Sequence, residues 1–310
     1  MSRTGQMATT LPESKAAGRG SSWPALLGEL TKARITLSVT LTAATGYIVA
    51  AGRLEWAMLL PLVGVYLLAA GASALNQVQE ARTDALMPRT MGRPIPSGRM
   101  DRSTALFVSG LLILLGLYCL ASVGHSTATL LYQGLFAVLW YNGVYTGLKR
   151  VTAFAVVPGS LIGSIPPLIG YTAAGGLPTE PLILLVAAFF FVWQVPHFWL
   201  LLLIWGDQYG QAGMPTLTRV FSRRQLQRLT FMWLLATAAC GLCFPALLSD
   251  AISMPFRVAL VCGSIWLALK SLTLLRSQPG DTAAFRRAFL QINVYALMIT
   301  LFLSLGALTG

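Results

Sequence analysis

Three oxygen-bearing side chains recur at every fourth residue near the end of an apolar stretch of the chain. They belong to Asn76, Glu80 and Asp84. In an α-helix, residues with this spacing lie on one face, about 6 Å apart along the axis. A row of hard oxygen atoms suits Mg²⁺, which keeps several waters and bridges to substrate phosphates. A solvated helix end with ordinary surface acids has the same spacing, so the row alone does not decide between these two interpretations.

Basic residues lie close to this row in the sequence. Arg89 and Arg93 follow it directly, and Lys149 and Arg150 end a later apolar segment, one turn after Tyr145. Guanidinium groups bind phosphate oxygens in a bidentate manner. Carboxylates for a metal with cations beside them are what a diphosphate needs, so this combination favours a diphosphate site. Anchoring cations at a membrane surface are the alternative interpretation.

Two further candidates come from later in the chain. His197 lies inside an apolar segment, followed by Trp199, and ionisable groups inside membrane segments are costly and commonly functional. We therefore consider His197 as an axial haem ligand or an acid/base group, with a histidine bonded between helices as an equal alternative. Asp207 is the only acid in the segment Gly206–Arg228, which makes it the natural candidate for a second metal ligand.

The composition indicates the elements that must position these residues. Hydrophobic residues make up 55% of the 310 residues and charged residues only 10%, whereas a soluble domain carries about 25% charged residues. The net charge of +12 would suggest nucleic acid in a polar protein, but no solvated basic domain is visible. The chain is therefore predicted to be an all-α integral membrane protein that does not bind nucleic acid.

Apolar segments of about 20 residues predict nine transmembrane helices. The predicted spans are Ile35–Ala51, Trp56–Leu75, Ala105–Val123, Ala128–Tyr145, Phe154–Ala173, Pro181–Trp205, Leu229–Leu248, Phe256–Leu275 and Phe289–Leu308. The two long connections between them, Asn76–Thr104 and Gly206–Arg228, hold most of the candidate residues.

Most of the 22 basic residues fall in alternate connections and in the N-terminal segment. The positive-inside rule then places the N-terminus in the cytoplasm and, with nine spans, the C-terminus on the opposite side of the membrane. Residues 1–32 are polar at their start and predict a disordered cytoplasmic tail, and residues 33–310 predict one membrane domain.

These motifs resemble those of the UbiA-type intramembrane prenyltransferases. The resemblance covers the chain from about Arg34 to its end. It is carried by the row, the run Met87–Gly98, the pair Tyr145-Thr146 with Leu148-Lys149-Arg150, the run Pro166–Gly170, and the run Pro196–Trp199. Glu80, where quinone-directed members usually have Asp, and the Pro-His-Phe-Trp run make the chain most similar to the haem-directed members.

The resemblance implies a nine-helix bundle around a central cavity in a bacterial inner membrane. It implies Mg²⁺-dependent transfer of a farnesyl group from farnesyl diphosphate to a vinyl group of haem b, which is a substrate and not a cofactor, for haem-copper oxidase biogenesis. The expected protein partners are a haem A synthase or an oxidase assembly factor. The implied roles are metal binding by Asn76, Glu80, Asp84 and Asp207, catalysis by the first three with Lys149 and Tyr145, and substrate binding by Arg89, Arg93, Arg150, His197 and Trp199.

The sequence departs from this pattern at two positions. Gln208 stands where the haem-directed members usually have an acid, and the segment after Arg150 lacks their asparagine. Two other functions remain open: prenyl transfer to a quinone precursor or another aromatic ring, and a transporter or non-catalytic haem-handling protein. The gathering of polar groups at one membrane face argues against transport, which places its binding groups near the midplane.

Overall fold

The computed structural model describes residues 22–247 and 253–309, and these residues form helices joined by turns and short connections. The α-helices are α1 Trp23–Leu30, α2 Ala33–Ala51, α3 Leu59–Asp84, α4 Arg102–Ala121, α5 Thr127–Val138, α6 Thr146–Leu148, α7 Val156–Gly159, α8 Leu161–Ala173, α9 Pro181–Gln211, α10 Leu217–Val220, α11 Arg223–Leu247, α12 Met254–Arg276 and α13 Thr282–Thr309. A 3₁₀ turn at Trp56–Met58 precedes α3, and a π-helical segment at Leu139–Tyr145 joins α5 to α6.

Eight helical segments in the described part of the chain are long and apolar enough to cross a membrane. They correspond to eight of the nine predicted spans, and the all-α prediction is confirmed. The remaining predicted span, Ala128–Tyr145, is also helical but is not a single α-helix. It consists of α5 and the π segment, and α6 follows directly after Tyr145.

The predicted tail and the structure overlap only in part. Residues 1–21 lie outside the described residues, so the greater part of the predicted tail is not covered. Within the remainder, Trp23–Leu30 form α1. Pro24 lies in its first turn, where proline is well tolerated, and Leu26 and Leu30 are buried against the end of α3 and the start of α4.

Close helix packing fixes the position of α3, which carries the row. A methyl group added to Gly71 of α3 would lie 2.9 Å from the carbonyl oxygen of Ser109 on α4. A methyl group on Gly116 of α4 would lie 2.8 Å from the backbone of α3. On the other side, α2 crosses α8 so closely that a side chain at Gly170 would overlap the carbonyl oxygen of Ala43. Such contacts permit little sliding between neighbouring helices.

Large apolar side chains on the outside of the bundle remain exposed. Phe107 and Leu114 of α4 are 71% and 67% exposed, whereas the buried apolar residues lie between helices. A surface of this kind is stable when it contacts lipid chains, because lipid has no tendency to expel apolar groups. The distribution agrees with the membrane prediction from the composition.

Two helices extend by several residues beyond the predicted C-terminal ends of their spans. The third helix continues from the predicted Leu75 to Asp84, so the whole row is helical. The ninth continues from the predicted Trp205 to Gln211 and includes Asp207. The second connection is therefore shorter than predicted and contains the single turn α10. Both extensions bring polar residues of one end of the bundle onto rigid helical backbone.

Candidate active site

The last three turns of α3 present the row that the spacing predicts. Asn76 and Asp84 are each 1% exposed, and the Glu80 side chain is 14% exposed. Burial of three polar groups at the end of an apolar helix is unfavourable unless each has a partner. Each of the three has one, and each partner comes from a different part of the chain.

The three partners are basic residues. The Lys32 Nζ donates to Asn76 Oδ1 at 3.2 Å, and the Arg93 Nη1 donates to Asp84 Oδ2 at 2.5 Å. Glu80 forms an ion pair with Lys149. The structure thus brings the predicted carboxylates into direct contact with two of the predicted cations and adds Lys32 to the group.

The segment from α5 to α6 is bonded to α3 along its π-helical turns. Asn142 and Gln79 form reciprocal bonds, with Asn142 Nδ2 3.1 Å from Gln79 Oε1 and Gln79 Nε2 3.0 Å from the Asn142 carbonyl. Asn76 Nδ2 donates to Thr146 Oγ1 at 3.1 Å. Single π-helical turns inside α-helices occur frequently at functional sites. Here Asn142 of the π segment and Thr146, the residue directly after it, both contact side chains of α3.

Tyr145 and Lys149 form the other side of the site. The Lys149 ammonium lies 4.8 Å from the centre of the Tyr145 ring, and Tyr145 is buried. An aromatic face attracts a cation at this distance. Arg150, by contrast, donates to the Gln79 carbonyl at 2.6 Å, so in this structure it faces the backbone of α3 rather than a side chain of the row.

The connection between α3 and α4 brings in the two predicted arginines. Arg93 reaches Asp84, while Thr90 donates to the Asp84 carbonyl at 2.9 Å and so fastens the connection to the helix end. Arg89 extends the other way and donates to the Tyr209 hydroxyl on α9 at 2.7 Å. The two halves of the bundle are therefore linked directly beside the row.

Lys32 is a site residue that the sequence interpretation missed, since it was assigned to the basic N-terminal segment. It lies between α1 and α2 in the left-handed backbone conformation, with φ of 51°. The pKa of its ammonium group is lowered to about 8, chiefly by burial; the charges of Arg93 and Lys149 also lower the pKa, and those of Glu80 and Asp84 oppose them. It is separated from Asn76 by 44 residues, so no local spacing could have revealed the pair.

Asp207 is not brought to the row in this structure. Its carboxylate accepts two bonds from Arg223 Nη2, at 3.0 and 2.7 Å, and its side chain is 72% exposed. Across the described residues, no three His, Cys, Asp or Glu side chains form a group that could hold a metal. Gln208 instead turns its amide oxygen into the protein, where it has no hydrogen-bond partner among the described residues.

His197 and Trp199 lie on α9, where each contacts other aromatic rings. The His197 ring lies between the rings of Trp193 and Phe289, at centroid distances of 4.7 and 4.8 Å, and its Nδ1 has no partner in the described part of the chain. Trp199 is buried against Trp233 of α11, with 6.0 Å between ring centroids. The link to the site is Phe198, whose ring centroid is 6.4 Å from that of Tyr145.

The donor set fits a hard divalent cation that carries a diphosphate. Asn76, Glu80 and Asp84 offer amide and carboxylate oxygens on one helix face, which is the ligand type that Mg²⁺ prefers. Lys32, Arg93 and Lys149 give three positive charges against two carboxylates, so the group attracts a further anion. The arrangement can therefore bind a metal–diphosphate pair and stabilise charge on a departing diphosphate.

Comparison with known proteins gives concordant results. The model of the UbiA prenyltransferase family matches residues 37–303. A protoheme IX farnesyltransferase of Geobacter sulfurreducens is 40% identical over 217 residues, covering 70% of this chain and 79% of the relative. The protoheme IX farnesyltransferase of Oleidesulfovibrio alaskensis is 34% identical over 274 residues, covering 88% and 93%.

Solved structures share the fold at low sequence identity. A UbiA homolog from Aeropyrum pernix K1 superimposes with a TM-score of 0.69 at 14% identity, covering 87% of this chain and 98% of that one. A UbiA homolog from Archaeoglobus fulgidus bound to GPP and Mg²⁺ gives a TM-score of 0.64 at 12% identity, covering 92% and 100%. At these identities the likeness establishes the helical arrangement alone.

Proposed function

The chain belongs to the UbiA prenyltransferase family, and from that premise we propose that it transfers a farnesyl group from farnesyl diphosphate to a vinyl group of haem b. Addition of water completes the product, haem O. The observation that carries the proposal is the row on α3, in which each oxygen-bearing side chain contacts its own cation. The relatives named protoheme IX farnesyltransferase support haem as the acceptor.

The residues of the row would hold Mg²⁺, with Asn76, Glu80 and Asp84 as its protein ligands. When bound, the metal withdraws charge from the diphosphate oxygens. Asp207 remains our proposed second ligand, and reaching the row would require it to leave Arg223. A UbiA homolog from Archaeoglobus fulgidus was solved with GPP and Mg²⁺, which supports this kind of ligand for the family.

Ionisation breaks the bond between C1 of the farnesyl chain and its oxygen, so inorganic diphosphate leaves with the bonding electrons. In this proposal Arg93 dissociates from Asp84 and Lys149 dissociates from Glu80, and both cations then bind the departing diphosphate and stabilise its charge. Arg89 and Arg150 lie within the same region and would bind the outer phosphate oxygens. Guanidinium and ammonium groups in a partly dehydrated site interact strongly with phosphate.

The allylic cation that remains needs protection from water until the acceptor reaches it. The buried ring of Tyr145 presents an aromatic face beside Lys149, and such a face can stabilise a carbocation. The haem vinyl group then forms the carbon–carbon bond, and water adds to the resulting cation with release of a proton. The product carries a hydroxyethylfarnesyl side chain.

His197 is our proposed haem ligand, and Trp199, which packs on Trp233, remains a proposed haem-binding residue. Its ring lies among aromatic side chains, and the unpartnered Nδ1 is the kind of atom that a metal or a hydrogen bond would complete. Its neighbour Phe198 faces Tyr145, so a haem held here would lie next to the region where the allylic cation forms.

We further propose that residues 33–310 form one domain of the bacterial inner membrane, with the N-terminus in the cytoplasm and the C-terminus outside. The alternating distribution of basic residues supports this orientation. A haem A synthase or an oxidase assembly factor would receive the product, because haem O is strongly apolar and would not diffuse freely through water.

The experiment uses the purified protein in detergent with haem b, farnesyl diphosphate and Mg²⁺, followed by mass spectrometry of the extracted haem. We expect a mass gain of farnesyl plus water that disappears when EDTA removes the metal. A parallel reaction with a quinone precursor in place of haem identifies an aromatic acceptor. Haem that is bound but unmodified under all these conditions would contradict the proposal and favour haem handling.

A further inference from the structure

Lys32 contacts the row in the same manner as the two cations already assigned to the diphosphate. Its ammonium group lies 3.2 Å from Asn76 Oδ1, as Lys149 contacts Glu80 and Arg93 contacts Asp84. We propose that Lys32 is a diphosphate-binding residue. We also propose that Lys32, Lys149 and Arg93 stay bound to the row in the free protein and are displaced when the metal and the diphosphate bind together. The inference rests on the proposed function and adds a residue and a binding order to it.

Lys32 is held in place by a set of bonds that an ordinary interfacial lysine does not need. Gln77, one residue after Asn76, is buried and donates to the carbonyl oxygens of Glu29 and Leu30 at 2.8 and 2.9 Å. The Glu29 carboxylate in turn binds Arg99 on the connection after α3. The end of α1 is thus bonded to α3 beside the row, only two residues before Lys32.

The local backbone completes this arrangement. Lys32 adopts φ of 51°, which is unfavourable for a residue with a Cβ atom. Thr36 on the first turn of α2 donates to the carbonyl of Thr31 at 2.8 Å and so closes the turn around Lys32. Positive φ at a non-glycine residue persists when surrounding contacts impose it, and the contact that this conformation achieves is that of Lys32 with Asn76.

Electrostatics identify the ligand chemistry. Three cations contact the row, one on each of its residues, and the row contains only two carboxylates. A group with excess positive charge in a partly dehydrated site attracts a multivalent anion. A diphosphate has enough oxygens to accept all three cations at once, whereas a carboxylate does not.

The same contacts predict a binding order. Lys32, Lys149 and Arg93 each contact one of the oxygens that a divalent cation would use, and their charges repel the cation. A diphosphate removes both obstacles, because it accepts the cations and brings its own negative charge. Metal and diphosphate should therefore each raise the affinity for the other, as linkage requires.

Calorimetric titration of the purified full-length protein with inorganic pyrophosphate in the presence of Mg²⁺ tests the role of Lys32. We expect Lys32→Gln to weaken pyrophosphate binding by roughly tenfold or more, and Lys32→Arg to bind within about threefold of the unsubstituted protein. Arg34→Gln is the matched control, because Arg34 is an exposed cation two residues away on α2, and it should bind as the unsubstituted protein does.

A second titration, with Mn²⁺ alone and detection by electron paramagnetic resonance, separates a binding role from a structural one. Loss of Lys32 frees Asn76 Oδ1 and removes repulsion, so Lys32→Gln should bind Mn²⁺ alone at least as tightly as the unsubstituted protein. If Lys32→Gln bound both pyrophosphate and Mn²⁺ more weakly, Lys32 would only maintain the structure, and the inference would be overturned. Unchanged pyrophosphate binding in Lys32→Gln would overturn the inference about Lys32 but not the proposed function. Failure of the unsubstituted protein to bind pyrophosphate would overturn both.

Discussion

Replacement of Asp84 by asparagine tests the proposed metal site with the least disturbance to the fold. Asp84 is 1% exposed, and its Oδ2 lies 2.5 Å from Arg93 Nη1. Asparagine has the same shape and still offers an oxygen to Arg93, but it carries no charge for the metal. We expect the variant to fold and to lose turnover by about a hundredfold or more, the effect of removing one strong electrostatic contact from an active site.

Replacement of Asp84 by alanine is a less specific test of the metal site, because it also lowers the stability of the fold. It removes both oxygens and leaves the Arg93 guanidinium without its partner. Breaking a buried ion pair from one side costs about 3–5 kcal/mol. Because the Arg93 side chain retains 23% exposure, the cost here should be nearer about 2–3 kcal/mol. Asp84→Ala should therefore melt at a lower temperature than Asp84→Asn while being equally inactive.

The assay is mass-spectrometric measurement of farnesylated haem at saturating farnesyl diphosphate, over a series of Mg²⁺ concentrations. Asp101→Asn is the control. Asp101 ends the connection between α3 and α4 and caps α4 by accepting a hydrogen bond from the Thr104 amide at 2.7 Å. Asparagine caps a helix about as well as aspartate, so this variant should keep its turnover within about twofold. A fully active Asp84→Asn enzyme would refute the metal assignment and leave the pair with Arg93 a purely structural contact.

Three further changes test other parts of the structure. Gly170→Ala should destabilise the α2–α8 crossing by at least about 2 kcal/mol, measured by thermal unfolding in detergent, whereas Gly110→Ala, which has open space, should not destabilise. His197→Phe should reduce haem binding, followed by absorbance, and leave pyrophosphate binding unchanged; equal haem binding would remove His197 from the acceptor site. Tyr295→Phe removes the 2.7 Å bond to Ser264 and should cost about 1 kcal/mol without reducing turnover.

The row on α3 could be predicted because its geometry is local. Spacing by four residues places side chains on one helix face whatever else the chain does, and the apolar segment before Asn76 indicated the helix. The partners of the row come from elsewhere, and spacing says nothing about them. Arg93 and Lys149 could be proposed because they adjoin recognisable motifs. Lys32 could not, since a basic residue before a first span is also what membrane topology requires.

The π-helical segment shows a second limit of the sequence pattern. Hydropathy predicted the span Ala128–Tyr145 correctly as helix, but it carries no information on the hydrogen-bond register within that helix. The register changes at Leu139–Tyr145, where Asn142 contacts Gln79 and Tyr145 lies beneath Lys149. The π segment places Asn142 opposite Gln79 of α3, a contact between distant parts of the chain that a local hydropathy pattern does not contain.

The extension of α9 decides which side chains can face the row. In a loop, Asp207 and its neighbours could each turn inward, and the residue pattern does not distinguish between them. In a helix, successive residues point about 100° apart, so Asp207 and Tyr209 face nearly opposite directions. Tyr209 binds Arg89 beside the row, and Asp207 binds Arg223 on the exposed side. A carboxylate at position 207 can therefore join the row only if Arg223 releases it and the last turn of α9 unwinds, whereas the amide oxygen of Gln208 already points into the protein without a partner among the described residues.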